Sequence, residues 1–282
     1  MTHPQTWFIT GTSRGLGKAL AEEALRAGHR VVATTRVEGA LLEHERLSVC
    51  HLDVRDRQAC HETVRKAVEQ HGAIDVLVNN AGYGLVGAIE EVSEEEARAI
   101  IDTDLLGALW LTQAVLPFMR AQRSGHIIQV SSVGGVGALP FFGLYNAAKW
   151  GLEGFSEALA GELKEFGIGV TLAEVGAMDT QWATRSMQFS VPLAAYDDCR
   201  ERFLGTVSVP WASEPEATGG GTNPTEIAQD LLRHVNGATA GDRLRLLMGS
   251  DAPGQVAAVL RQRRSDYELD PRFTAAAANC KI

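Results

Sequence analysis

At 282 residues, with 45% hydrophobic and 22% charged residues, the chain has the size of one large α/β domain or two small ones with a sizeable core. A formal net charge of -9 with no clustered Lys/Arg face argues against a nucleic-acid surface, yet a few well-placed cations could still hold a phosphate. The amino terminus lacks the basic segment and long apolar core of a signal peptide, and no stretch reads as transmembrane in length. A cytoplasmic location without a membrane partner is therefore expected. Cys50, Cys60, Cys199 and Cys280 are scattered and read as reduced thiols. The histidines are dispersed too, and the spacing of ten between His61 and His71 does not converge on a metal.

The first apolar run, Trp7–Thr10, predicts a buried strand that passes into Thr10-Gly11-Thr12-Ser13-Arg14-Gly15-Leu16-Gly17, the opening of a helix over Gly15–Ala27. Glycines there let the backbone turn sharply and approach a pyrophosphate, while the helix terminus supplies N–H donors and positive potential. The spacing is G-x-x-x-G-x-G rather than G-x-G-x-x-G, and a purely structural strand–helix turn could use the same residues. The next strand, Val31–Thr35, ends at Thr34-Thr35-Arg36-Val37-Glu38. Dinucleotide folds place there the residue that meets the adenosine ribose: an acid accepts from the 2′-hydroxyl, an arginine favours a 2′-phosphate. Neutral Thr35 followed by Arg36, with Arg14 available from the loop, favours NADP(H). Glu38 is the competing acid, expected beyond the strand and facing solvent.

Further along, strands are predicted at Ser48–Leu52, Val76–Val78, His126–Val130, Val170–Ala173 and Leu244–Leu247. Helices are predicted at Arg57–His71, Glu94–Arg120, Leu144–Phe166 and Thr225–Asn236. Ser93 before Glu94-Glu95-Glu96 reads as a capped helix start with carboxylates over its positive end, not as an acid/base cluster. Apolar strands alternating with helices indicate a parallel sheet of about seven strands with helices on both faces. Between Gly176 and Thr225 the periodicity is lost, and Pro192, Pro210, Pro215, Pro224 and Gly219-Gly220-Gly221 appear. Met178, Trp182, Met187, Phe189, Phe203 and Trp211 nevertheless remain in this stretch. The expectation is a substrate-binding lid over about 177–224, its last part, 213–224, a flexible connector. A carboxy-terminal extension at about 250–282 completes a single domain, 1–282.

Tyr145 and Lys149 stand four apart on a predicted helix and so share a face, with Ser131-Ser132 upstream. A phenol titrates near ~10, and a cation ~4 Å away is worth roughly 4 kcal/mol at an effective dielectric of ~20. At about 1.36 kcal/mol per unit, Lys149 could lower Tyr145 by some ~3 units, into the range useful for proton transfer. Ser132 could then polarise a carbonyl oxygen that receives the proton. A Tyr-x-x-x-Lys spacing alone also arises by chance.

With these residues in view, the chain resembles a short-chain dehydrogenase/reductase of the compact, single-domain kind, close to the bacterial branch related to 17β-hydroxysteroid and retinol dehydrogenases. The resemblance runs from about residue 5 to 180, then more loosely to about 250, on Thr10–Gly17, Leu52-Asp53-Val54, Asn79-Asn80-Ala81-Gly82, Ser131-Ser132 and Tyr145-x-x-x-Lys149. It implies a three-layer, Rossmann-type, doubly wound sheet. It also implies that Ser132 holds the substrate oxygen, that Tyr145 donates or removes the proton, and that Lys149 depresses Tyr145 and binds the nicotinamide ribose. By the same resemblance, Gly11, Ser13, Arg14, Gly15, Leu16 and Gly17 cradle the coenzyme phosphates. Arg36, Asp53 and Val54 border the adenosine, Asn80, Ala81 and Gly82 support the coenzyme beside the sheet, and Gly176, Met178 and Thr180 meet its nicotinamide end.

The chain departs from the family pattern at two points. Asp104 stands where the family has an asparagine whose backbone carbonyl holds a water leading to Lys149, so a charge enters the proton relay. Val175 stands where the family has proline, which leaves the backbone path of Gly176–Thr180 open. The expected activity is that of an NADP(H)-dependent carbonyl reductase or alcohol dehydrogenase on a fairly apolar small molecule. The pocket candidates are Phe141, Phe142, Leu144, Trp182 and Met187, with core packing an equal reading of Phe141-Phe142 and Arg185 near enough to qualify the apolar reading. The alternative is a catalytically weak NADP(H)-binding sensor or regulatory protein on the same fold. The family's habit of pairing the two long helices, 94–120 and 144–166, implies a homo-oligomer, dimer or tetramer.

Overall fold

The computed structural model describes residues 3–37, 43–211, 218, 220–237 and 243–274. In chain order the first elements are β1 (Thr6–Thr10), α1 (Gly15–Arg26), β2 (Arg30–Thr35), β3 (Leu47–His51), α2 (Arg57–His71), β4 (Val76–Asn79), β5 (Gly84–Val86), α3 (Glu94–Ile101) and α4 (Gly107–Gln122). Then follow β6 (Gly125–Val130), α5 (Gly143–Leu163), β7 (Ile168–Val175), α6 (Trp182–Arg185), β8 (Met187–Phe189), α7 (Asp197–Leu204), α8 (Pro224–Val235), β9 (Arg245–Met248) and α9 (Ala252–Glu268).

Seven strands form one parallel sheet in the order β3-β2-β1-β4-β6-β7-β9, the doubly wound arrangement expected. Period-two alternation on β1 sends Trp7 and Ile9 to one face and Phe8 to the other, so a single strand feeds both cores. α1 and α8 cover the first face through Leu16, Leu20, Ile227 and Leu231. α2, α4 and α5 cover the second through Val64, Leu111, Val115 and Leu159. Glu94-Glu95-Glu96 behaves as expected: Ser93 accepts from the Glu96 N–H, and the Glu96 carboxylate reaches back to the Ser93 N–H at 2.8 Å.

The long helix predicted over Glu94–Arg120 is interrupted. Asp102–Leu106 forms a π turn in which the Gly107 N–H donates to the Asp102 carbonyl. One extra residue per turn rotates Asp104 inward toward α5. Taken through the π turn, α3 and α4 together span Glu94–Gln122, long and apolar enough to cross a membrane by length and composition, which corrects the expectation that no stretch reaches that length. Here Leu111, Ala114, Val115 and Met119 are buried in the second core.

The segment after Gly176 carries more structure than its lost periodicity suggested. β8 pairs in parallel with β5, Gly84↔Met187 to Val86↔Phe189. Phe189 meets Trp211 edge-to-face at 4.7 Å. Much of the expected connector, and with it Pro215 and Gly219, lies outside the described residues, as do Glu38 and Cys280.

Candidate active site

The carboxyl ends of β1, β2, β4, β6 and β7 open onto a cavity of about 600 Å³. Its phosphate end is built by the loop between β1 and α1. Arg14 is the N-cap of α1 in extended conformation with no side-chain cap, so the helix's first N–H groups keep their hydrogen-bonding capacity for a ligand. Gly11, Ser13, Arg14, Gly15 and Leu16 line the cavity. Gly17 lies beneath it: a Cβ there would stand 2.4 Å from both Asn80 Nδ2 and the Gly11 carbonyl, so its role is the close approach of helix to loop. Asn80 Nδ2 donates to the Thr10 carbonyl at 2.8 Å and to that of Gly11 at 3.1 Å. Thr10 Oγ1 accepts from the N–H groups of Asn80 and Ala81, each at 2.9 Å. The Asn79–Gly82 turn thus fixes the glycine loop as well as bordering the cavity.

Arg36 lines the cavity beyond the end of β2, with Thr35, Asp53 and Val54. Arg55 takes the Asp53 carboxylate in a fork, Nη2 to Oδ2 at 2.6 Å, and holds Asp53 below the usual carboxylate range. The Arg14 guanidinium is held below its ordinary value by burial, then by the charges of Arg185 and Arg36. Three guanidiniums thus concentrate positive potential at this end, in a chain whose net charge is negative.

At the other end stand Ser132, Tyr145 and Lys149. Ser132 Oγ accepts from the Gly134 N–H at 3.0 Å, which leaves its own O–H to donate toward the cavity that it and Tyr145 both line. Lys149 Nζ donates to the Val130 carbonyl at 3.1 Å and stands 5.7 Å from the centre of the Tyr145 ring. Asn146, to which sequence reasoning gave no role, pins the loop facing Tyr145: Nδ2 donates to the Gly134 carbonyl at 2.9 Å and Oδ1 accepts from the Leu139 N–H at 3.2 Å. The residue is visible inside the Tyr-x-x-x-Lys span, but nothing in the spacing shows which loop it would hold.

One electrostatic expectation is corrected. Tyr145 is not lowered overall: burial pushes the phenol above its ordinary value, and Lys149 and Ser132 pull down against this while the Asp104 carboxylate pushes up. Lys149 itself is held above its ordinary value, chiefly by Asp104 against the cost of burial. Asp104 Oδ2 lies 3.4 Å from Lys149 Nζ, and burial pushes the Asp104 carboxyl up to about 6 despite that cation.

The Val175 departure leaves a defined backbone. β7 runs through Val175 in register with Met248, the Gly176 N–H donates to the Met248 carbonyl at 2.9 Å, and the Ala177 N–H to Asp251 Oδ2 at 3.0 Å. Gly176, Met178 and Thr180 consequently reach the cavity, with the Thr180 methyl 3.7 Å from where a Gly15 Cβ would lie.

Of the apolar candidates, Phe142, Trp182 and Met187 line the cavity. Trp182 lies 5.6 Å from Tyr145 between ring centres, and Phe142 lies 6.5 Å from it, edge-on. Phe141 and Leu144 are not among the lining residues. Phe141 takes a left-handed φ of 70°, is buried with Val86 and Ala88, and carries the Arg200 guanidinium 5.5 Å above its ring. That backbone turn sends consecutive phenylalanines to opposite tasks, which resolves the even choice between packing and pocket one way for each. Leu139 and Tyr83, not anticipated, are in the lining.

A doubly wound sheet carrying a glycine loop at one end of its cleft and a Ser–Tyr–Lys group at the other defines a nucleotide-dependent oxidoreductase. The chain belongs to the short-chain dehydrogenase family, whose description, short chain dehydrogenase, matches residues 5–189. Oxidoreductase BOA17 of Botryotinia fuckeliana is 39% identical over 267 residues, 90% of this chain and 93% of that protein. The 3-ketodihydrosphingosine reductase of Bacteroides thetaiotaomicron is 37% identical over 206 residues, 73% of this chain and 76% of that one. A solved short-chain dehydrogenase from Streptomyces avermitilis superposes with a TM-score of 0.84 at 31% identity, covering 97% of this chain and 99% of its own.

Proposed function

We propose that the protein is an NADP(H)-dependent oxidoreductase that interconverts a ketone or aldehyde and an alcohol on a fairly apolar small molecule, with Tyr145 as proton donor and acceptor. The observation that carries this is the placement of Ser132, Tyr145 and Lys149 at one end of a cavity whose far end gathers Arg14, Arg36 and an uncapped helix terminus. The residues suit the dinucleotide. α1's N–H groups and Arg14 would hold its phosphates, Arg36 its 2′-phosphate, and Lys149 its nicotinamide ribose.

When bound, the coenzyme supplies or accepts the hydride. In reduction, Tyr145 Oη gives its proton to the carbonyl oxygen as that oxygen becomes an alcohol, and the Ser132 O–H holds the same oxygen in place. In oxidation the phenolate takes the alcohol proton back. Lys149 offsets the charge that develops on Tyr145. Phe142, Trp182, Met187 and Leu139 give the substrate end apolar surface beside the polar Gln181, Ser186 and Gln188, which favours an aromatic, lipid-like or polycyclic carbonyl. The Bacteroides relative, named as a ketone reductase for a sphingoid base, fits this substrate class. Segment α6–β8 would then act as the lid.

Asp104 favours a second reading, a catalytically weak NADP(H)-binding regulator, because its carboxylate competes with Tyr145 for the charge of Lys149. A screen of NADPH and NADH consumption across aromatic ketones, quinones and steroid-like ketones separates the two. The enzyme reading predicts turnover with NADPH, and the regulator reading predicts coenzyme binding without it.

A further inference from the structure

We infer that Asp104 is a positioning residue that balances the charge of Lys149 before any coenzyme arrives, and so keeps Tyr145 in its proton-donating form up to higher pH. The inference rests on the reading of Tyr145 as the proton-transfer group and adds what sets its protonation range.

The geometry begins with the π turn at Asp102–Leu106, which turns Asp104 into the protein until its side chain is fully buried. Two contacts then fix the carboxylate. Oδ1 accepts from the Tyr83 N–H at 3.1 Å, and Oδ2 lies 3.4 Å from the Lys149 ammonium without any well-formed hydrogen bond of its own. Gly82 makes room, since a Cβ there would stand 2.8 Å from Oδ2. With Oδ1 committed to a donor, an amide at this position would turn its NH2 group toward an ammonium. A carboxylate instead turns an acceptor toward Lys149, beyond the Val130 carbonyl to which it already donates, and brings the compensating charge.

Other charged groups around this pair leave the balance in place. On α5, Asp104 faces Lys149 and Tyr145, with Glu153 acting on Lys149 from the next turn. From the turn after β4 it faces Tyr83, which burial and then Asp104 and Glu96 push up, while Arg55 and Arg36 pull down. Lys149 is therefore met by two carboxylates, and within the Tyr145–Lys149–Asp104 group the charges cancel only while Tyr145 keeps its proton. Reduction needs the protonated phenol; oxidation needs the phenolate, which Asp104 opposes. A neutral residue at 104 would leave the Lys149 charge available to the phenolate.

The test is a spectroscopic titration of tyrosinate in coenzyme-free protein, comparing wild type, Asp104→Asn and Asp104→Ser, each minus its Tyr145→Phe counterpart. Expected is a Tyr145 ionisation at or above the ordinary phenol value in wild type, made at least about tenfold easier in both variants. The kcat/KM profile for reduction should lose its alkaline reach in parallel. An unmoved Tyr145 titration in the variants would overturn the inference. So would a wild-type Tyr145 that ionises below about pH 9, a measurement that stands even where the variants fail to fold. Normal turnover by Tyr145→Phe would instead overturn the proton-donor assignment, so the two failures are distinguishable.

Discussion

Arg36 and Tyr145 sit at opposite ends of the cavity, and each permits a separate test. If Arg36 meets a 2′-phosphate, Arg36→Ser loses a charge-assisted contact worth roughly 1.5–3 kcal/mol, or about 10- to 100-fold in NADPH affinity. NADH affinity should be unchanged, and fluorescence titration with both coenzymes checks it. Equal or tighter NADH binding by the wild type would contradict the coenzyme assignment. Gly82→Ala tests the other end: the added Cβ would displace the Asp104 carboxylate, so the variant should behave like Asp104→Asn in its pH profile. Residue types at both ends were legible because short-range chemistry fixes them: glycines before a helix, an arginine after a strand, a lysine one turn from a tyrosine. The sign of the Tyr145 shift was not legible. It depends on burial and on Asp104, forty-one positions upstream, meeting Lys149 through a turn that no periodicity announces.

At the level of elements, the segment over the substrate end is held by a clasp. Arg200 on α7 is buried and ion-paired with Glu91 and, at 2.7 Å, with Asp197, and the Leu193 N–H donates to Glu91 Oε1 at 2.7 Å. Glu91→Gln leaves the buried Arg200 with only the half-exposed Asp197 as its counter-charge, so it should destabilise the clasp by about 1.5–3 kcal/mol. Because α7 belongs to the covering segment, faster hydrogen exchange should appear first at 187–204, with β1 and β4 still protected. Exchange that rises uniformly across the sheet would contradict a local clasp. The seven sheet strands were readable from continuous apolar runs. β5 and β8 were not, because three-residue strands separated by about a hundred positions carry no periodic signal. Phe141 shows the same limit: its neighbour lines the cavity and it does not, a choice made by a left-handed backbone turn.

For the molecule as a whole, the buried network joining α5, β7 and β9 makes stability depend on pH. Glu174 is buried, lies 3.3 Å from Arg245 Nε, and is pushed up to about 7 by burial and by Glu153. A carboxyl whose folded pKa lies above its unfolded value holds its proton longer in the folded state. Its contribution is therefore full below about pH 4 and is lost as pH rises through about 7. Glu174→Gln should match wild type near pH 4 and be more stable at pH 8, by up to about 3 kcal/mol, with Arg245 still paired to Glu153 and Glu157. Thermal melts across that range check the sign, and a variant less stable at pH 8 would contradict it. The central claim, that the cavity binds NADPH at one end and transfers a proton from Tyr145 at the other, is tested most directly by Tyr145→Phe. Measured beside wild type for NADPH affinity and for NADPH-dependent reduction of the carbonyl panel, it should keep the affinity and lose the turnover. Turnover at the wild-type rate would contradict the account.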